Sequence, residues 1–257
     1  MKIKYQFIIP IIFLLGVGLS QDSTYTAEKL VFSAGFRWFS AGKASMEIRK
    51  DTLNGQVVSK LISSTNTNSF LDNFYKVRDE IVVWMDEDDQ QLLQVHKDIH
   101  EGRYKKKHYA RIDTVALQAY SGKDTLDLPG KVYDPISVVY YLRRQDLTVG
   151  NALHFNTYDN GKIKEVFVSV EKEDRVAVPA GIFNCIVLTP ASADGKKLLK
   201  NKGQMKVWLS DDEHKYPVRI EQKTNVGTML LELEKVIYKE LEQPGYIIEH
   251  DQGEDSQ

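Results

Sequence analysis

His96-Lys97-Asp98-Ile99-His100 is the segment whose residue types and spacing most suggest chemistry. Side chains alternate between the faces of a β-strand, so His96, Asp98 and His100 would share one face at steps of about 6.6 Å. His-x-His pairs can chelate zinc from a strand, but a working site needs a third close ligand and partners that orient the imidazoles. His108 could supply that ligand only by pairing across a turn at Glu101-Gly102. The competing reading is a solvated polar strand face, and the metal candidates are His96, Asp98 and His100.

Other segments invite similar comparisons. Arg103, Lys105, Lys106, Lys107, His108 and Arg111 are interleaved with Tyr104 and Tyr109. Basic residues beside aromatics can bind sugar-phosphate or single strands. Positive charge on both faces of a strand also marks an edge guarded against aggregation. Anionic lipid or polysaccharide suits this segment better than nucleic acid, which is not expected as a partner. Asp86-Glu87-Asp88-Asp89 lacks the glycine and spaced oxygen donors of a calcium loop and reads as a solvated turn, as does Asp211-Asp212-Glu213-His214. Cys185, the sole cysteine, alternates with Phe183 and Val187 and reads as a small buried hydrophobe.

No nucleophile elbow, His-Glu-x-x-His, Walker loop or Gly-x-Gly-x-x-Gly occurs. No catalytic residue is assigned and no cofactor is implied. The aromatics Phe32, Phe36, Trp38, Phe39, Phe70, Phe74, Tyr75 and Trp84 would either line an apolar pocket or form core. The ligand-binding candidates are Trp38, Phe70, Phe74 and Trp84, with Tyr140 and Tyr141.

The elements that must carry these residues are strands. Ala44, Met46 and Ile48 alternate with polar neighbours, as do Val166, Val168 and Val170 with Phe167, Ser169 and Glu171. Asn54-Gly55, Glu101-Gly102, Ser121-Gly122 and Asp159-Asn160-Gly161 supply hairpin turns. The spacing predicts roughly fourteen strands. So many strands accumulate twist and cannot stay flat, so the sheet must curl and expose a concave face. The fold expected is therefore mostly all-β, a large curved antiparallel sheet. One or two short helices would pack on its concave face. Ser69 to Tyr75 is one candidate helix. Asp134 to Arg144 is the other, with Asp134 as cap, Pro135 at the first position and an apolar run from Ile136 to Leu142. A helix apolar on all sides must be buried on most of them, as a plug would be.

The chain has 257 residues, 42% hydrophobic and 27% charged, with net charge −2. This composition excludes a disordered chain, a disulfide framework and a strongly basic nucleic-acid binder. Lys2 and Lys4, the apolar run from Phe7 to Leu19, and Gly18 and Ser20 compose a signal peptide over residues 1–20, cleaved near Ser20-Gln21. No later segment is long and apolar enough to span a bilayer as a helix. A single β-rich domain is expected over 21–239 and a flexible acidic tail over 240–257. The location expected is periplasmic or secreted.

Four segments in order resemble a family of bacterial exported proteins, domain of unknown function 3108. They are Tyr133-Asp134-Pro135-Ile136-Ser137 with Tyr140-Tyr141-Leu142-Arg143, Val178-Pro179-Ala180-Gly181-Ile182-Phe183, Val207-Trp208-Leu209-Ser210-Asp211-Asp212, and Tyr216-Pro217-Val218-Arg219-Ile220. The resemblance implies a curved sheet similar in outline to the unclosed barrels of LolA- and LolB-type carriers, and no catalytic residues. Three functions stay open. The favoured one is a non-enzymatic binding or carrier module for an apolar or lipid-like ligand. The others are an envelope interaction or assembly protein with a packed core, and a hydrolase acting on envelope polymers.

Overall fold

The alternating segments of the sequence become strands. The computed structural model describes residues 25–36, 39–192, 204–224 and 227–241. The expected signal peptide, its cleavage point, Trp38 and most of the expected acidic tail lie outside the described residues. In chain order the elements are β1 (Tyr25–Phe36), β2 (Phe39–Leu53), β3 (Gln56–Thr67), a single-turn helix α1 (Ser69–Asp72), β4 (Arg78–Met85), β5 (Leu92–Glu101), β6 (Tyr104–Asp113), β7 (Gln118–Ser121) and β8 (Asp124–Asp127). Then come β9 (Val132–Tyr133), α2 (Val138–Leu142), β10 (Ala152–Asp159), β11 (Lys162–Val178), β12 (Gly181–Ser192), β13 (Met205–Ser210), β14 (Pro217–Thr224) and β15 (Gly227–Leu241).

Among the described residues all fifteen strands form one sheet, in the order β8-β7-β6-β5-β4-β3-β2-β1-β15-β14-β13-β12-β11-β10-β9. Turn spacing suggests about one strand fewer, because the two-residue β9 is too short to leave an alternating signal. The sheet is two meanders joined at the middle, where β1 pairs with β15 from Tyr25↔Leu241 to Phe36↔Met229. Neighbours are antiparallel except β9 and β10, which run parallel. This one departure from the expected antiparallel sheet has a cause: the chain between β9 and β10 winds through α2, the crossover that a parallel pair requires.

The two edge strands, β8 and β9, are successive in sequence. The connection from Asp127 to Val132 can span at most about 18 Å. The ends of the sheet are therefore held near each other although no ladder joins them, and the result is an unclosed barrel. Strand directions sort the turns into two rims. The turns β1–β2, β3–α1–β4, β5–β6 and β10–β11 lie at one end. The turns β4–β5 and β13–β14 lie at the other, together with the start of β1 at Tyr25 and the end of β15 at Leu241.

One apolar cluster fills the interior. Leu30, Phe32, Leu61, Val83, Met85, Leu92, Val95, Leu188, Leu209 and Leu233 belong to it, and so do Val139, Tyr140 and Leu142 of α2. The Asp134–Arg144 segment is thus buried as its composition demands, but its α-helix is only Val138–Leu142. Asp134 does cap the turn, accepting a hydrogen bond from Ile136 N at 2.8 Å. The second candidate segment behaves differently: α1 buries none of its residues and sits on the rim.

A smaller cluster lies on the outer face. The β11–β12 hairpin shifts register between Val170 and Lys172, and beyond that point Val176, Cys185, Val187, Trp208 and Val218 pack together. Cys185 is fully buried, and burial pushes its thiol up to about 11, so it is a protonated core residue at neutral pH.

Candidate functional site

The register of β4, β5 and β6 decides the fate of the His-Lys-Asp-Ile-His segment. Ile81 lies opposite Lys97, and Lys97 opposite His108, so these three face the barrel interior. His96, Asp98 and His100 face outward, opposite Tyr109, Lys107 and Lys105. The possible third ligand, His108, is therefore on the wrong side of the sheet. Asp98 is engaged by His100 Nε2 at 2.9 Å and Lys107 Nζ at 3.1 Å, while His96 is exposed. Among the described residues no group of three His, Cys, Asp or Glu side chains is arranged to hold a metal ion.

Lys97, in the middle of that segment, does the more consequential work. It is 5% exposed, and its Nζ lies 2.7 Å from Asp134 Oδ2 and 2.9 Å from Asp159 Oδ1. Asp134 follows β9 and Asp159 ends β10, so this lysine ties the first meander to the second across the unpaired seam. Burial opposes its charge, but the two carboxylates outweigh burial and hold the ammonium above the ordinary lysine range. Burial likewise works against the charge of Asp159, and Lys97 overcomes it, lowering that carboxyl. His108 and Tyr158 approach across the same seam, with ring centroids 6.1 Å apart. Burial, then Lys106 and Lys97, lower the imidazole.

Arginines fasten the plug at the far end. Arg143 donates to the Glu28 carboxylate of β1 from both terminal guanidinium nitrogens, at 2.6 and 2.8 Å, and from Nε–H to His214 O at 2.8 Å. Its guanidinium lies over the rings of Tyr140 and Tyr216, at 5.1 and 5.3 Å. Arg144 donates to the carbonyls of Glu87 and Asp88 at 2.7 Å each. A cleft of about 310 Å³ opens beside this lock, lined by Glu28, Ile48, Gln90, Tyr140, Arg143 and His214 among others. Within its lining Glu28 and Arg143 are already paired with each other.

The six ligand-binding candidates fall in different places. Tyr140 is buried in the core, and the Tyr141 ring lies tilted against that of Tyr133 with centroids 4.3 Å apart, and Phe155 at 5.6 Å. Trp84 lies on the outer face, donating to Asp51 at 3.2 Å under the Lys60 ammonium. Phe70 and Phe74 are side by side at 5.6 Å, yet they are 66% and 75% exposed. They line no interior space and belong to no core.

The loop that presents them is firmly built. Asn68 caps α1 by accepting from Leu71 N at 2.9 Å and donates Nδ2 to Ser40 O at 2.9 Å. Asp72 accepts from Thr67 Oγ1 at 2.6 Å and from Arg78 at 3.1 Å. Tyr75 lies on the β5–β6 turn, where Gly102 has φ +59° and any Cβ would come within 2.8 Å of the tyrosine ring. Phe39, 48% exposed and stacked on Phe36 at 5.3 Å, stands at the same rim beside a cleft of about 250 Å³. Alternating periodicity could not have flagged this rim; the only signal was four aromatics clustered at turns.

Fold and site together define a plugged, unclosed β-barrel with a cluster of exposed aromatic residues at one rim. The chain matches the family described as protein of unknown function (DUF3108) over residues 28–234, and it belongs to that family. Among solved structures, a β-barrel-like protein of domain of unknown function DUF1849 from Brucella abortus superposes with a TM-score of 0.54 at 11% identity, covering 84% of this chain and 98% of that one. This likeness concerns the fold. A DUF1329 family protein from Desulfovibrio piger aligns at 9% identity over 84% of this chain and 87% of its own, with a TM-score of 0.30. No protein of curated function matches the chain in sequence.

Proposed function

We propose that this is an exported, non-enzymatic binding protein that engages an apolar or lipid-like partner at the rim bearing Phe39, Phe70, Phe74 and Tyr75. The observation that carries the reading is the Phe70–Phe74 pair, held in contact and mostly in water by a capped, hydrogen-bonded loop. Single exposed apolar residues are ordinary, but an ordered cluster of them marks a contact surface. The space between α2 and the sheet is filled by the protein's own side chains, which favours a partner at the rim over one enclosed beneath the helix. Export is supported by the sequence of residues 1–20.

The test is NMR titration with dihexanoyl phosphatidylcholine below its micellar concentration. Shifts should concentrate at residues 68–76 and around Phe39, and the Phe70→Ser/Phe74→Ser variant should weaken them about tenfold. Shifts centred on Tyr140–Arg144 would move the site under the plug, and an absence of shifts would refute lipid binding. A second reading, protein partnering by strand addition, is favoured by β6. Its β7 ladder covers only Arg111–Asp113, leaving Tyr104–Ala110 without a strand neighbour on that side among the described residues.

A further inference from the structure

We propose that the aromatic rim docks on the surface of an anionic lipid bilayer; this rests on the reading above and names its partner. The β5–β6 hairpin is fastened to the aromatic loop: Gly102 N donates to Lys76 O at 2.8 Å, Val77 bridges to Glu101, and the Tyr75 ring covers Gly102. Beyond this junction the hairpin presents Arg103, Tyr104 and Lys105, all exposed. Arg103, Lys105 and Lys106 form no ion pair among the described residues, and Lys107 has its side chain 74% exposed. The cations of the hairpin therefore follow directly on the Gly102 turn that Tyr75 covers, with the Glu101 and Asp79 carboxylates also close to that ring.

Three features select a bilayer over a protein groove. The aromatics project from a single-turn helix and a tight turn, so they make a convex tip; a fluid interface accepts such side chains without shape complementarity. Aromatic rings partition to the headgroup region, and each nearby Lys or Arg adds roughly fivefold to association with anionic lipid. The opposite rim carries the acidic turns Asp86–Asp89 and Asp211–Glu213, which an anionic surface repels, so charge orients the barrel with the aromatic end inward.

The experiment is flotation of the mature chain with vesicles of phosphatidylethanolamine and phosphatidylglycerol, against vesicles of phosphatidylcholine alone. The wild type should float with the first and release at high salt. Arg103→Glu/Lys105→Glu and Phe70→Ser/Phe74→Ser should each weaken binding about tenfold or more. Both changes are at exposed positions, so unaltered thermal melting confirms that the variants fold. Equal binding to phosphatidylcholine overturns the anionic preference and leaves lipid binding standing. Loss of all vesicle binding, with the short-chain lipid still shifting the rim, overturns the bilayer and keeps the lipid-like ligand. Failure of both overturns both. A dimer in sedimentation that Phe70→Ser/Phe74→Ser dissolves would assign the patch to a second copy and overturn the bilayer.

Discussion

Lys97 shows how one residue can govern a seam. Its ammonium is held above the ordinary lysine range and the Asp159 carboxyl below the ordinary aspartate range. The pair therefore contributes stability between those limits. The carboxylate share is lost as pH falls below roughly 3.9 and through the lowered value. The ammonium share is lost only as pH rises past roughly 10.4 and through the raised value. Lys97→Met should lower the urea midpoint most near pH 7, and the difference from wild type should shrink below about pH 4. An undiminished gap at pH 3 would mean that the methylene packing of Lys97, and not its charge, supports the seam. The residue was legible in principle. Val95 and Ile99 flank it on the inward face, and a lysine at an apolar position of an alternating strand asks for a partner. Its partners, Asp134 and Asp159, were not legible, because they come from the other meander and only the curl of the whole sheet brings them close.

Elements were read better than their lengths or surroundings. The apolar run Ile136–Leu142 announced a buried helix, and α2 is one, yet Arg143 and Arg144 do not merely face a helix dipole. They reach Glu28 and the Glu87 and Asp88 carbonyls, distant contacts that no local pattern encodes. Ser69–Tyr75 carries similar apolar spacing and lies in solvent, since periodicity records a face without recording what lies opposite it. The anchoring of α2 makes a specific claim. Glu28 and Arg143 have side chains 12% and 13% exposed, so Glu28→Gln leaves a largely buried guanidinium without its carboxylate. A loss of about 3 kcal/mol in urea unfolding is expected. Glu28→Gln combined with Arg143→Met should lose less than the sum of the two single changes, because the unpaired charge is removed with its partner. Additive losses would show that the pair does not act as a unit.

At the scale of the molecule, the sheet was foreseeable from turn spacing and twist, whereas the junction of β1 with β15 was not. Pairing of the first described strand with the last is a choice among many topologies that share the same strands. The junction carries heavy responsibility: β15 neighbours both β1 and β14, and Leu233 within it is fully buried. Removing residues 227–257 should abolish cooperative thermal unfolding, as followed by circular dichroism, whereas removing 242–257 should leave it intact. A cooperative transition in the shorter chain would mean that the two meanders are stable separately.

That same junction also sets a clock. Some 190 residues separate the end of β1 at Phe36 from the start of β15 at Gly227. At the usual pace of synthesis this is an interval of roughly 10–40 s. Throughout it β1 can find β2 but has nothing on its other side, so a half-made barrel shows a bare strand edge in mid-sheet. The finished shape is reachable only once almost the whole chain has been made. Until then the β1 edge has no partner, and the two meanders cannot join into one sheet.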